Sequence, residues 1–214
     1  KEMIWQKEKE ISNQEKFTIT EVTTGEESIS VYFKQGNQKI FISIFGPKEM
    51  RNREKANGEH AEIELFIKFP LEPDSKIQEL LNQKIKKFLK NVIMRDSYPK
   101  CQITINMNIF NTSNEIDTYS LIPKICNGLM ASLCLSGIDI NMLCLARGNY
   151  PSENDENRYM IFMEQNNKNN NNIYDIETEE ALTIDNFDKI IEENKIIFKK
   201  MYENLINIIY KKLK

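Results

Sequence analysis

At 214 residues the chain is long enough for one domain with a substantial core, and its 29 basic against 32 acidic residues leave a net charge of −3, which excludes a global basic field for nucleic acid but not local basic clusters. No uninterrupted apolar run approaches the ~20 residues of a membrane span, and the opening KEMIWQKEKE lacks the apolar centre of a signal peptide. A single histidine, His60, and four cysteines without a C-x-x-C pair (Cys101, Cys126, Cys134, Cys144) offer zinc no ligand spacing, so no metal is expected and the cysteines read as buried reduced thiols.

In chain order, residues 1–16 read as a charged tail that Trp5 pins to a surface, and residues 17–214 as a single domain. FTITEVTT (17–24) is a first strand, and Gly25 opens a turn. SISVYFK (28–34) and KIFISIF (39–45) flank a turn at Gly36-Asn37, which predicts a β-hairpin that stops at Gly46-Pro47. This hairpin is apolar on both faces: Ile29, Val31 and Phe33 alternate with Tyr32, and Ile40, Ile42 and Ile44 with Phe41 and Phe45.

KEMRNREKANGE (48–59) carries Lys48, Arg51, Arg53 and Lys55 with almost nothing apolar. It reads either as a solvated loop or as a loop that follows a nucleic-acid backbone, in which case Arg51, Arg53 and Lys55, with Lys100 beside the Tyr98-Pro99 turn, are the RNA-contacting candidates. AEIELFIKF (61–69) alternates as a strand with Ile63, Leu65 and Ile67 on one face.

After Pro70 and Pro73, Asp74 or Ser75 caps a helix to about Met94. Its apolar side holds Ile77, Leu80, Leu81, Ile85, Phe88, Leu89 and Val92, with Lys84, Lys86, Lys87 and Lys90 expected outward. Residues 98–147 then read as strand, helix and strand. Ile103, Ile105, Met107 and Ile109 line the strand, Asp117 caps the helix, and Leu121, Ile125, Leu129 and Leu133 form its stripe. Gly137 closes the helix in a left-handed conformation, and residues 140–146 are a buried strand. RYMIFMEQ (158–165), the low-complexity turn NNKNNNN, a short strand at 173–177 and a long helix from Thr183-Ile184-Asp185 complete the chain. Strands first with helices interspersed later predict an α+β fold.

Three phrases in this order carry a resemblance: GEESISVYFKQGNQKIFISIFGPKEM, SYPKCQITINMNIF and LIPKICNGLMASLCLSGIDINMLCLA. They resemble the RNase PH-type fold of phosphorolytic exoribonucleases and exosome ring subunits, across about residues 17–212. The short final section of one hairpin and one helix is most similar to the smallest exosome subunit of this fold, the ribosomal-RNA-processing-forty-six type. The resemblance implies an RNase PH-like (ribosomal protein S5 domain 2-like) sheet with packed helices.

The departures from the family pattern concern the chemistry. Active members hold inorganic phosphate in a Gly-Ser/Thr-Arg turn, and the matching stretch here is Glu115-Ile116-Asp117, so carboxylates stand where glycine and arginine would be. The family's paired acids are matched only by Asp155 and Glu156, without a second acid at the required spacing, and its upstream phosphate-contacting arginine at best by Lys76. The resemblance therefore implies a catalytically dead member with no cofactor, acting as a structural subunit for 3′-to-5′ RNA processing and degradation. The partners it implies are the other RNase PH-type subunits of a hetero-oligomeric ring, cap subunits, an associated nuclease and RNA in the ring channel. The implied location is nucleus, nucleolus and cytoplasm, away from any membrane. The alternative is a phosphorolytic exoribonuclease active only with a partner subunit. Neighbouring subunits are expected to meet the chain at the strand edges of the hairpin (28–45) and of the strand at 61–69, with Tyr32 and Phe41 as interface candidates.

Overall fold

The alternation of β-branched residues with polar ones builds a sheet with one dry face, and the helices supply its cover. The computed structural model describes residues 16–50, 58–110, 116–149, 158–165, 171–181 and 183–213. Its strands are β1 (Phe17–Gly25), β2 (Ser28–Gln35), β3 (Gln38–Glu49), β4 (Glu62–Lys68), β5 (Cys101–Phe110), β6 (Leu143–Gly148), β7 (Tyr159–Gln165) and β8 (Asn171–Thr178). Its helices are α1 (Ser75–Val92), α2 (Thr118–Ser136) and α3 (Ile184–Leu213). The architecture is α+β, as expected, but the strands divide into a five-stranded sheet, β1-β2-β3-β5-β4, and a three-stranded sheet, β6-β7-β8. Among the described residues only the β4–β5 pair is parallel.

One face of the large sheet is the core. Val31, Phe33, Ile40, Ile42, Ile44, Ile103, Ile105 and Met107 are all buried there, each contributing ~1.5–3 kcal/mol of apolar transfer. The helix α2 packs between the two sheets, against β2 and β3 on one side and β6 and β7 on the other. A Cβ on Gly128 would stand 2.9 Å from Ile42 Cδ1 and 3.0 Å from Phe33 Cδ1, so only glycine lets the helix lie this close to β2 and β3. The neighbouring Asn127 is fully buried. Its Nδ2 donates to Ala146 O (2.8 Å) and Gln35 Oε1 (3.0 Å), and its Oδ1 accepts from Ala146 N (2.7 Å). One side chain thus satisfies the backbone of β6 as a neighbouring strand would and reaches β2 as well.

The other two helices flank α2. Asp74 caps α1, its Oδ1 accepting from Lys76 N at 3.0 Å. Asn194, Phe198, Met201, Tyr202 and Leu205 of α3 are buried. The Tyr202 hydroxyl bonds to β6 at Leu145 N (3.3 Å) and Leu143 O (3.2 Å), and to β7 at Met163 O. Asn204 Nδ2 donates to Phe17 O at 2.9 Å, tying α3 to the margin strand β1.

Several expectations need correction. Gly46-Pro47 does not end its strand. Gly46 takes φ +99° and the bond before Pro47 is cis, and after a bulge the chain resumes pairing with β5 at Lys48↔Gln102 and Glu49↔Cys101. The hairpin is not an edge either, because β1 and β5 occupy its two margins. Lys84 and Lys87 are not left to water alone but pair with Glu177 and Asp175 of β8, Lys84 half-buried and Lys87 still exposed with its pair at 3.2 Å, while Asn91 bonds the Tyr174 hydroxyl. The Asp175 carboxylate raises the Lys87 ammonium pKa, by hydrogen bond and by charge.

Leu80 is 39 % exposed and stands outside the stripe. The strand expected from 140 starts at Leu143, because Asn141 turns to the end of α1, its N–H donating to Val92 O (2.7 Å) and its side chain to Asn91 O (3.2 Å). Asn171 and Asn172 of the asparagine run belong to β8. Trp5 and the tail lie outside the described residues.

Replacing Asn127 with leucine would strand two backbone groups of Ala146 and break the bond to the Gln35 amide. The expected loss in a urea unfolding experiment is about 3 kcal/mol or more, whereas a loss near zero would mean that the two sheets do not depend on this side chain.

Candidate functional site

The N-terminus of α2 is the place to look for anion chemistry, since its free N–H groups and dipole attract negative charge. Here that position is already filled. Asp117 is the N-cap, and its Oδ1 accepts from Tyr119 N at 3.1 Å. Arg158 lies alongside, with Nη1 3.9 Å from Asp117 Oδ1 and Nε 3.8 Å from Glu179 Oε2. The guanidinium is therefore shared between two carboxylates. Burial, then Glu179 and Glu177, push the Tyr119 phenol up and keep it neutral. Gly148 of β6 presses against this end of the helix, where a Cβ would come within 2.0 Å of Tyr119 O. The next turn carries Lys124, whose Nζ donates to Ser120 Oγ at 2.9 Å.

Behind this helix end Arg147 is buried, its Nη1 donating to Asn194 Oδ1 at 2.9 Å. Asn194 Nδ2 in turn donates to Ile190 O (2.7 Å) and to the Tyr159 hydroxyl (3.4 Å). Arg147 and Asn194 escaped the sequence reading, for their signal is a polar residue inside an apolar period. Here the guanidinium works as a fastener for α3.

Of Glu115-Ile116-Asp117, Ile116 packs half-buried against the core and Glu115 lies outside the described residues. Asp155 and Glu156 also lie outside them. Lys76 stands in the first turn of α1, exposed, on a different helix from Asp117.

Arg51, Arg53 and Lys55 lie outside the described residues, and the described chain on either side of them is tied to its surroundings. Lys100, at φ +59°, takes the Met50 N–H on its carbonyl at 3.0 Å. At the other side His60 Nδ1 is 2.7 Å from Asp96 Oδ1, and Arg95 Nε donates to Ala61 O at 2.8 Å. The structure thus ties Lys100 to Met50, the residue before the undescribed stretch. Tyr32 and Phe41 sit opposite each other in the middle of the large sheet, both half-buried on the face away from the core. The margins of the large sheet are β1, which Asn204 and Lys212 of α3 contact, and β4, where Phe66 is 51 % exposed.

All four cysteines are free. Burial raises the thiol pKa of Cys126 and Cys144, and that of Cys134 to about 11, so none of these three is a poised nucleophile. Among the described residues no group of histidine, cysteine and acidic side chains is placed to hold a metal, and no helix is long and apolar enough to cross a membrane.

A sequence model described as 3′ exoribonuclease family, domain 1, matches residues 17–139. Among solved structures the chain is similar to rice (Oryza sativa) Rrp46, with 17 % identity and a TM-score of 0.75 over 91 % of this chain and 94 % of that one. It is also similar to the archaeal exosome core, with 11 % identity and a TM-score of 0.59 over 88 % and 85 %. A search of curated proteins gives no match.

The cap geometry has a measurable consequence. Changing Asp117 to alanine should cost about 1 kcal/mol of stability in chemical denaturation, and changing it to serine, which still caps, only a few tenths. Equal losses in the two variants would show that the Arg158 ion pair matters instead of the cap.

Proposed function

The chain belongs to the 3′ exoribonuclease family, and we propose that within it the protein is a non-catalytic structural subunit of an exosome-type ring. Its task is to hold neighbouring RNase PH-type subunits while RNA is processed and degraded 3′-to-5′ by groups elsewhere in the assembly. The observation that carries this reading is the Asp117 carboxylate at the N-terminus of α2, hydrogen-bonded to Tyr119 N and flanked by Arg158 and Glu179. An incoming phosphate would have to displace an anion the chain itself provides, and would then face Glu179 and Glu177. The similarity to rice Rrp46 and to the archaeal exosome core over most of both chains supports a ring setting.

In that setting the free margin of β4 takes one neighbour, because an unpaired strand edge is covered most readily by another strand. Phe45 and Phe66, 44 % and 51 % exposed on the adjoining face, add apolar area to the same contact. Contacts of this kind use different surfaces on the two sides of the subunit and close as a ring. Cap subunits and an associated nuclease complete the assembly, which places the protein in nucleus, nucleolus and cytoplasm. RNA in the channel meets Arg51, Arg53 and Lys55 with Lys100 at the base of their loop. Net −3 supplies no long-range attraction, so these contacts are local and weaken with salt.

The test is phosphorolysis. Pure protein incubated with single-stranded RNA, inorganic phosphate and magnesium should release no nucleoside diphosphate above a no-protein control. The double variant Glu115→Gly, Asp117→Arg should stay silent too, since one repaired subsite does not supply the missing acids. Release well above the control by the unaltered chain would overturn the non-catalytic reading.

A further inference from the structure

The face of the large sheet that points away from the core has a composition unlike the rest of the molecule. The isoleucines, valine and leucine of β2, β3, β4 and β5 turn inward, and the outward positions hold aromatic, amide, hydroxyl and charged side chains. At one corner Lys34, Lys39 and Phe110 face each other across β2, β3 and β5. The next row is Tyr32, Phe41, Asn108 and Lys68. The Tyr32 and Phe110 rings stack with centroids 6.0 Å apart, and Phe110 is 39 % exposed.

Two lysines directly opposite on an antiparallel pair repel each other and cost stability. The third, Lys68, is two strands away in the adjoining row, and among the described residues none of the three has an ion-pair partner. The acidic side chain nearest in register is Glu21, opposite Tyr32 on the margin strand β1. Uncompensated cations around exposed rings are what a ligand with regularly spaced anions and flat faces would offset.

From this we infer that the corner formed by Tyr32, Phe41 and Phe110 with Lys34, Lys39 and Lys68 is a binding platform for single-stranded RNA. Bases stack on the rings, Asn108 supplies an amide for a base edge, and the lysines take successive phosphates. A protein partner is the weaker fit, because the corner has no aliphatic anchor and leaves three cations to be neutralised. This platform uses residues other than the cations at 51–57 and the end of α2, and it takes Tyr32 and Phe41 away from the subunit contact expected from sequence. Duplex RNA is excluded by the chemistry, since paired bases do not offer their faces to the rings.

The test is a fluorescence anisotropy titration of the full chain with a labelled oligouridine. Lys34→Glu, Lys39→Glu and Lys68→Glu together should weaken binding at least tenfold and flatten its salt dependence. Phe110→Ala should weaken it about fivefold or more. Lys86→Glu with Lys90→Glu, on the outer side of α1, is the control and should change little. Ultraviolet crosslinking followed by peptide mapping should place the uridine on Tyr32, Phe41 or Phe110, which keeps the test informative if a variant misfolds. Full affinity in the triple variant with crosslinks elsewhere would overturn the proposal. So would variants that keep RNA affinity but lose a protein partner, since that outcome makes the corner a subunit contact.

Discussion

The Asn127 carboxamide, buried between two sheets, is the interaction on which the rest of the structure leans. It binds both backbone groups of Ala146 in β6 and the Gln35 amide of β2, so α2 is fixed to the small sheet and the large one by the same side chain. A leucine there would fill similar volume but leave two backbone groups of Ala146 dry, each at a cost of roughly 1–3 kcal/mol, and break the bond to Gln35. Gly128, one residue on, removes the side chain that would hold the helix off Phe33 and Ile42. Once α2 is seated in this way its N-terminus has a fixed address, with Gly148 of β6 pressed against Tyr119 O and Arg158 and Glu179 beside the cap.

That address decides the chemistry. A helix N-terminus attracts anions whether they arrive from solution or from the chain itself. Here Asp117 arrives from the chain, and its charge is balanced by Arg158, which also answers to Glu179. The arrangement caps the helix, and under the proposed reading it is what an incoming phosphate would have to displace. The same local physics that would build a phosphate cradle around a glycine and an arginine builds a plain cap around an aspartate. Burial keeps Cys126, Cys134 and Cys144 from being poised thiols, and Arg158 beside the cap is engaged with both Asp117 and Glu179.

Legibility in the sequence followed the range of the interaction. Strand alternation, the Gly36-Asn37 turn, the Asp74 and Asp117 caps and the left-handed Gly137 are local, and each stands where the residues predict it. Sheet order is not local. Nothing in 28–45 reveals that β1 and β5 consume both margins of the hairpin, or that β5 and β6 belong to different sheets. A lysine row on a helix looks the same whether it meets water or Glu177 and Asp175, ninety residues downstream. Asn127 and Asn194 are hidden for a related reason, because an amide within an apolar period carries no mark of the backbone or guanidinium it will meet. The Asp117 cap, by contrast, is legible from the residue alone, since a carboxylate at a helix start is a capping signal before it is anything else.

The most direct measurement of the central claim is the composition of the complex in which the chain resides. Affinity purification of the tagged full-length protein, followed by native mass spectrometry, should yield one copy of this chain with several different RNase PH-type chains in fixed stoichiometry. Recovery of the protein as a monomer free of any such chain, or only with copies of itself, would contradict the account.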